Sequence, residues 1–188
     1  MNTELKITIL GCGASYGVPT LLRGFGDCDP KNPKNTRLRT SILIQSSWGN
    51  ILVDTGPDIR QQLLKAGNPK IDAVLFTHLH YDHTGGLNEM VRITDIYEKE
   101  EDKRTIPLYI YKEDVDSFIA PRSYLFGQGS SFEIKPFDMY IPFEINGLKI
   151  IPLLQYHGRS FSTGFRIGNF AYSTDVKKMD PRGFDLLQ

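Results

Sequence analysis

Apolar residues recur in short runs with a period near two, punctuated by glycine, proline and asparagine, and the pattern predicts strands more often than helices. Residues 5–10 alternate and predict a first strand, followed by the glycine-studded loop 11–19 and a long polar loop, 20–39. Residues 40–45 and 50–54 predict a β-hairpin across Ser46-Ser47-Trp48-Gly49. Ala73-Val74-Leu75-Phe76 is an unbroken apolar run without helical spacing and predicts a buried strand. Helical spacing appears in three places. Residues 57–65 carry Ile59, Leu63 and Leu64 on one stripe, with Pro57 suited to a first turn; residues 87–96 carry Leu87, Met90, Val91 and Ile93; residues 112–118 form a third segment. Residues 108–111 predict a strand, 98–104 a charged loop and 121–131 a mobile loop. From there strand follows strand, at 132–135, 140–145, 148–154, 163–167 and 170–173. Mixed elements in the first half and strands in the second define an α/β (α+β) chain.

The 188 residues suffice for one domain with a sizeable core, and no linker or low-complexity tract divides them. Lys plus Arg and Asp plus Glu both number 22, so the formal net charge is zero. No whole-protein field then attracts nucleic acid or an anionic membrane, and any affinity for phosphate must be local. The cluster of Lys31, Lys34, Arg37 and Arg39 is one such local feature, or simply a solvated face. Two cysteines, Cys12 and Cys28, make no disulfide framework, residues 1–5 do not read as a signal peptide, and no apolar stretch could span a bilayer. A reduced cytoplasm is the expected compartment.

The chemistry gathers at residues 78–83, His-Leu-His-Tyr-Asp-His, at the end of the buried run. Three imidazoles and a carboxylate so close together point to metal, because burying them without an ion leaves polar groups unpaired. His78 and His80 leave the strand end on the same side, while Asp82 and His83 lie where the chain turns and can face a second ion. The fourth histidine, His157, ends another apolar run, and Asp175 follows the run at 170–173. Singly, His157 reads equally as a loop residue and Asp175 as a helix N-cap; together they set donors at three strand ends, where open sheets gather their sites. Asp54 also ends a strand, and reads either as support for the histidine loop or as the cap of helix 57–65.

These motifs, together with Gly11-Cys12-Gly13-Ala14-Ser15-Tyr16-Gly17-Val18-Pro19, residues 35–41 and Ile51-Leu52-Val53-Asp54-Thr55-Gly56-Pro57-Asp58, resemble the metallo-β-lactamase superfamily. Within it they resemble the branch of the phosphonate-pathway cyclic phosphodiesterases. The resemblance implies a four-layer αβ/βα sandwich with metals at one edge between two sheets. It implies that His78, His80 and His157 hold one ion, Asp82 and His83 a second, and Asp175 both, with Asp54 orienting the histidine loop. Asp82 is read as a catalytic residue as well as a ligand. Zinc and manganese suit these donors, and ferrous iron is an alternative. The implied reaction is in-line hydrolysis, by a hydroxide held between two ions, of a small cyclic phosphodiester or nucleotide-like substrate. Ser15 in the glycine loop, Arg159 beside His157, and the aromatic pair Tyr124 and Phe126 are the candidate substrate residues. Each also has a plainer reading, as a turn, a surface arginine, or locally packed rings.

The chain departs from the family in two ways. A cysteine-bound structural zinc is not expected, since the 20–39 loop holds only Cys28. Thirteen residues follow Asp175 without a histidine, where the family continues through a strand, helices and a further histidine ligand, so a domain shortened at its C-terminus is expected. The same chemistry serves other esters, thioesters and lactams, and a transfer RNA 3′-end nuclease is a further alternative that zero net charge argues against. A catalytically silent metal-binding chain is the non-enzyme reading. A homodimer is compatible with all of these.

Overall fold

Along β2 (Ser41–Ser46) and β3 (Gly49–Val53) both faces of one sheet are apolar, and the two faces belong to different cores. Leu43, Leu52 and Val74 face one way; Ile42, Ile44, Ile51, Val53, Ala73 and Leu75 face the other. Successive side chains alternate across a strand, so a sheet covered on both sides reads as an unbroken apolar run, as β4 (Ala73–Leu75) does. The computed structural model describes residues 4–96 and 105–187, with residues 92–96 by their backbone alone, so the charged loop expected at 98–104 lies outside the described residues.

The first sheet adds β1 (Lys6–Gly11), β5 (Ile106–Tyr111) and β6 (Phe132–Phe137), in the spatial order β1-β2-β3-β4-β5-β6. The first three strands pair antiparallel and β3 through β6 pair parallel. Parallel neighbours need crossovers, and α1 (Ile59–Lys65), α3 (Leu87–Ile96) and α4 (Val115–Ile119) lie within them. Ile59, Leu63, Leu87, Met90 and Phe118 from these helices close the core on the Leu43 side.

The second sheet is antiparallel and comprises β7 (Phe143–Ile145), β8 (Leu148–His157), β9 (Ser160–Ile167), β10 (Phe170–Tyr172) and β11 (Lys178–Met179). Its Ile145, Leu148, Ile150, Phe165 and Ile167 meet the Ile42 face of the first sheet in the inner core. The last helix, α5 (Pro181–Asp185), packs on β8 with Gly183 against Leu153 and Met179. Helices outside and two sheets face to face make the expected sandwich. Among the described residues no helix is long and apolar enough to cross a membrane.

Several boundaries differ from the sequence reading for identifiable reasons. The strand expected at 140–145 starts only at Phe143, because Tyr140 is in the left-handed region at φ 65° and gives its N–H to the Pro152 carbonyl. The helix expected from residue 57 starts at Ile59, and Asp58 at its N-cap spends its carboxylate on Arg39 rather than on the helix. The segment 112–118 divides into a 3-10 turn, Lys112–Asp114, followed by α4, and the loop from 121 begins inside another 3-10 segment, Ala120–Leu125.

Candidate metal centre

The ends of β3, β4, β8 and β10 converge, and the segments leaving them carry the polar cluster. Asp54, just past β3, is held at φ 64° with its side chain fully buried. Its Oδ1 accepts the Thr77 N–H at 2.8 Å, and its Oδ2 accepts the Thr77 hydroxyl at 2.8 Å. The same Oδ2 stands 2.7 Å from His83 Nδ1. Asp54 therefore ties the loop after β4 to β3, and it does not cap α1. Two glycines allow the approach: a Cβ on Gly56 would stand 2.2 Å from the Asp82 carbonyl oxygen, and one on Gly86 would stand 2.1 Å from the Gly56 carbonyl oxygen. His83 itself lies in α2 (Tyr81–Thr84), a single turn where the sequence had suggested loop.

These contacts fix tautomers. Asp54 can only accept, so His83 carries its proton on Nδ1 and turns Nε2 into the cluster. The Thr77 hydroxyl, already donating to Asp54, accepts from His78 Nδ1 at 3.0 Å, which likewise leaves His78 Nε2 facing inward. Both Nε2 atoms are buried without a hydrogen bond. Asp175 Oδ2 lies 3.6 Å from His78 Nε2, 3.4 Å from His83 Nε2 and 3.4 Å from His157 Nε2. Asp82 Oδ2 is 3.5 Å from His83 Nε2. Lone pairs and carboxylate oxygens aimed at one another repel unless a cation stands among them. The donor set fits divalent metal.

The donors fall into two groups that share Asp175. His78, His80, His157 and Asp175 form one and Asp82, His83 and Asp175 the other, each with ligand atoms within 4.8 Å of one another. Without metal, protons must supply the missing positive charge. Burial works against charge on His83, but Asp54, Asp175 and Asp82 outweigh it and raise its pKa to about 10. His78 goes the other way, lowered to about 3 by burial and then by His83 and His80. The protonated His83 imidazole 3.4 Å away holds Asp175 down at about 2 in spite of its own burial. His80 is exposed and the His157 side chain is 30% exposed, so the open side of the cluster is theirs.

Supporting residues that the sequence did not mark surround this set. Thr84 Oγ1 donates to the His80 carbonyl at 3.1 Å and receives Arg122 at 2.6 Å, while Arg122 also donates to the Phe118 carbonyl and stacks 4.7 Å from the Phe118 ring. Asp175, at φ 51°, has its carbonyl bonded by the buried Ser162 hydroxyl, which also contacts Gln155. No spacing rule links Arg122 to His80 or Ser162 to Asp175, because each pair meets only through the fold.

The candidate substrate residues separate. Phe126 is half-buried and packs against the Phe118 and Phe132 rings at the edge of the outer core. Tyr124 is exposed, with its hydroxyl 2.8 Å from Asn88 Oδ1. Arg159 is exposed in the two-residue turn between β8 and β9, two residues after His157. The Ser15 carbonyl accepts from Arg39 Nε at 2.9 Å, and Arg39 is paired with Asp58. Cys12 and Cys28 are both free and exposed.

A family model described as the beta-lactamase superfamily domain matches residues 49–188, and the chain belongs to that superfamily. A crystal structure described as a new diphosphatase from the PhnP family superposes with a TM-score of 0.85 at 30% identity, covering 98% of this chain and 71% of that one. A Porphyromonas gingivalis protein named octanoyltransferase is 34% identical over 193 aligned positions, covering 98% of this chain and 37% of that protein. A Treponema pallidum ribonuclease Z is 27% identical over 164 positions, 86% of this chain and 43% of that protein. The chain thus spans less than half the length of these two relatives. Human tRNase Z, short form, shares the fold with a TM-score of 0.67 at 20% identity, covering 96% of this chain and 73% of that one.

Proposed function

We propose that the chain is a metal-dependent phosphodiesterase acting on a small anionic ester, cyclic or nucleotide-like, at the His/Asp cluster. The observation that carries this reading is the pair of buried, unbonded Nε2 atoms of His78 and His83 facing the shared carboxylate of Asp175. His78, His80, His157 and Asp175 would hold one divalent ion, and Asp82, His83 and Asp175 a second, with zinc or manganese as the first choices and iron next. Ions bound there would lower the pKa of water into the neutral range and draw charge from a phosphoryl group.

The protein's own side chains do the rest. Asp54 and Thr77 keep the His78 and His83 lone pairs pointed inward, and burial keeps His78 neutral. Asp82, beside His83, offers a carboxylate that can take a proton from the attacking water and return it to the leaving oxygen as that oxygen departs. Arg159, exposed beside His157, offers a guanidinium to a phosphoryl oxygen on the open side. The similarity to a PhnP-family diphosphatase supports phosphorus as the reacting centre, and zero net charge supports a small substrate over RNA.

A second reading, hydrolysis of an acyl ester or thioester, draws on the match to a protein named octanoyltransferase. The two are separated by assaying the metal-reconstituted chain on bis(p-nitrophenyl) phosphate and on an acyl thioester. Phosphodiester turnover that disappears with chelation is the expected result, and thioester turnover alone would replace the first reading with the second.

A further inference from the structure

The turn after the glycine loop presents two leucines to solvent in a fixed geometry. Thr20 and Gly24 exchange both backbone hydrogen bonds, at 2.8 and 2.9 Å, and Arg23 N–H bonds Thr20 Oγ1 at 3.2 Å. Leu21 and Leu22 at its tip are fully exposed and Tyr16 is 79% exposed. Together with Thr20, Arg23 and Arg39 they line a mostly apolar groove of about 450 Å³, a volume typical of small-ligand sites. A stapled turn that holds apolar side chains in water keeps an unfavourable surface unless something covers it.

Position and charge select the occupant. Arg39 brings the groove near the segment that carries the cluster: its guanidinium pairs with Asp58, and its Cβ and the Asp82 backbone carbonyl flank Gly56, where a Cβ would lie 3.9 Å from the first and 2.2 Å from the second. Arg23 and Arg37 are exposed on the same loop, with the Arg37 guanidinium 3.5 Å from the Cys12 sulfur. An apolar floor lined by Arg23, with Arg39 held by Asp58 at its edge, fits an anion that carries an apolar group. A second copy of the chain fits poorly, because a stable dimer buries roughly 20–30 residues a side and six line this groove.

Resting on the phosphodiester reading, we infer that the groove of Tyr16, Leu21, Leu22 and Arg23 is a subsite for the apolar substituent, aryl or alkyl, of the phosphorus ester whose phosphoryl group lies at the His/Asp cluster. The test measures binding, not turnover, and uses non-hydrolysable probes. Calorimetry on the zinc- or manganese-loaded chain should give phenylphosphonate an affinity on the order of tenfold above methylphosphonate. In the Leu21→Ser/Leu22→Ser variant, checked for folding by circular dichroism, that ratio should fall toward one, and Tyr16→Ser should lower it independently. Equal affinities in the unaltered chain, or an undiminished ratio in both variants, would overturn the subsite. So would an unchanged ratio accompanied by a loss of self-association, since the leucines would then be covering another copy. An aryl preference without phosphodiester turnover would keep the subsite and refute the activity, whereas turnover without the preference would do the reverse.

Discussion

Asp54 Oδ2 stands 2.7 Å from His83 Nδ1, and neither side chain is exposed to solvent. A buried carboxylate against a buried imidazole is stable only while each keeps its partner, and Asp54 serves Thr77 twice as well. Removing the acid strands three donors at once. Asp54→Ala should destabilise the metal-free chain by roughly 3–5 kcal/mol in urea unfolding, the range for breaking a buried pair. Asp54→Asn, which keeps the shape, should lose less stability and still lower metal affinity. An Ala variant within 1 kcal/mol of the parent, on the order of an ordinary surface change, would show that the pair does not hold the loop.

The metal-free chain should be most stable near the ordinary histidine pKa of 6.5, for opposing reasons. His83 is raised from 6.5 to about 10, so the native state holds a proton that the unfolded state releases above 6.5, and stability falls as pH rises from there toward 10. His78 is lowered from 6.5 to about 3, so below 6.5 the unfolded state binds a proton that the native state refuses, and stability falls with pH on that side too. Asp175, depressed from 3.8 to about 2, adds its own loss at the acid end. Chemical unfolding of chelator-treated protein across this range tests the sign on each side. A monotonic profile would contradict it.

Arg122 reaches the cluster through Thr84, whose hydroxyl bonds the His80 carbonyl. Supports of this kind typically carry a ten- to hundredfold effect on metal affinity. Arg122→Ala should weaken binding of the first ion by roughly tenfold, and substitution of cobalt for the native ion should show an altered visible spectrum. An unchanged spectrum and affinity would make Arg122 a packing residue for Phe118 alone.

Arg159→Ala should leave metal content intact and raise KM for phosphodiesters by roughly tenfold, as expected when a guanidinium contact to phosphate is lost. Loss of bound metal in this variant would instead mean that Arg159 shapes the His157 turn.

What the sequence displayed, and what it hid, follows from how far apart the interacting residues lie. The sheets were legible because β2, β3 and β4 are buried on both faces and read as apolar runs. The six donors of the cluster were legible because four are packed into residues 78–83, His157 ends β8 and Asp175 follows shortly after β10. Asp54 left two readings open, and only its bonds to Thr77 and His83 separate them. The α2 turn is four residues long, too short for a periodic pattern. Phe126 left its packing partners open, because nothing local signals the Phe118 and Phe132 rings it packs on. Arg122 and Ser162 act through pairs that only the fold brings together, and β11 is a two-residue strand completed by pairing with Tyr156 and Gln155.

The two donor groups are unequal, four side chains against three with Asp175 common to both, and metal affinity follows donor count and geometry. Calorimetric titration of the chelator-stripped 188-residue chain with zinc or manganese, alongside His80→Ala, tests the metal centre most directly. One tight event, a second and weaker one, and loss of the tight event in His80→Ala is the predicted result. No binding by the folded chain, or the same stoichiometry and affinities in His80→Ala, would contradict the assignment of this cluster as the metal centre.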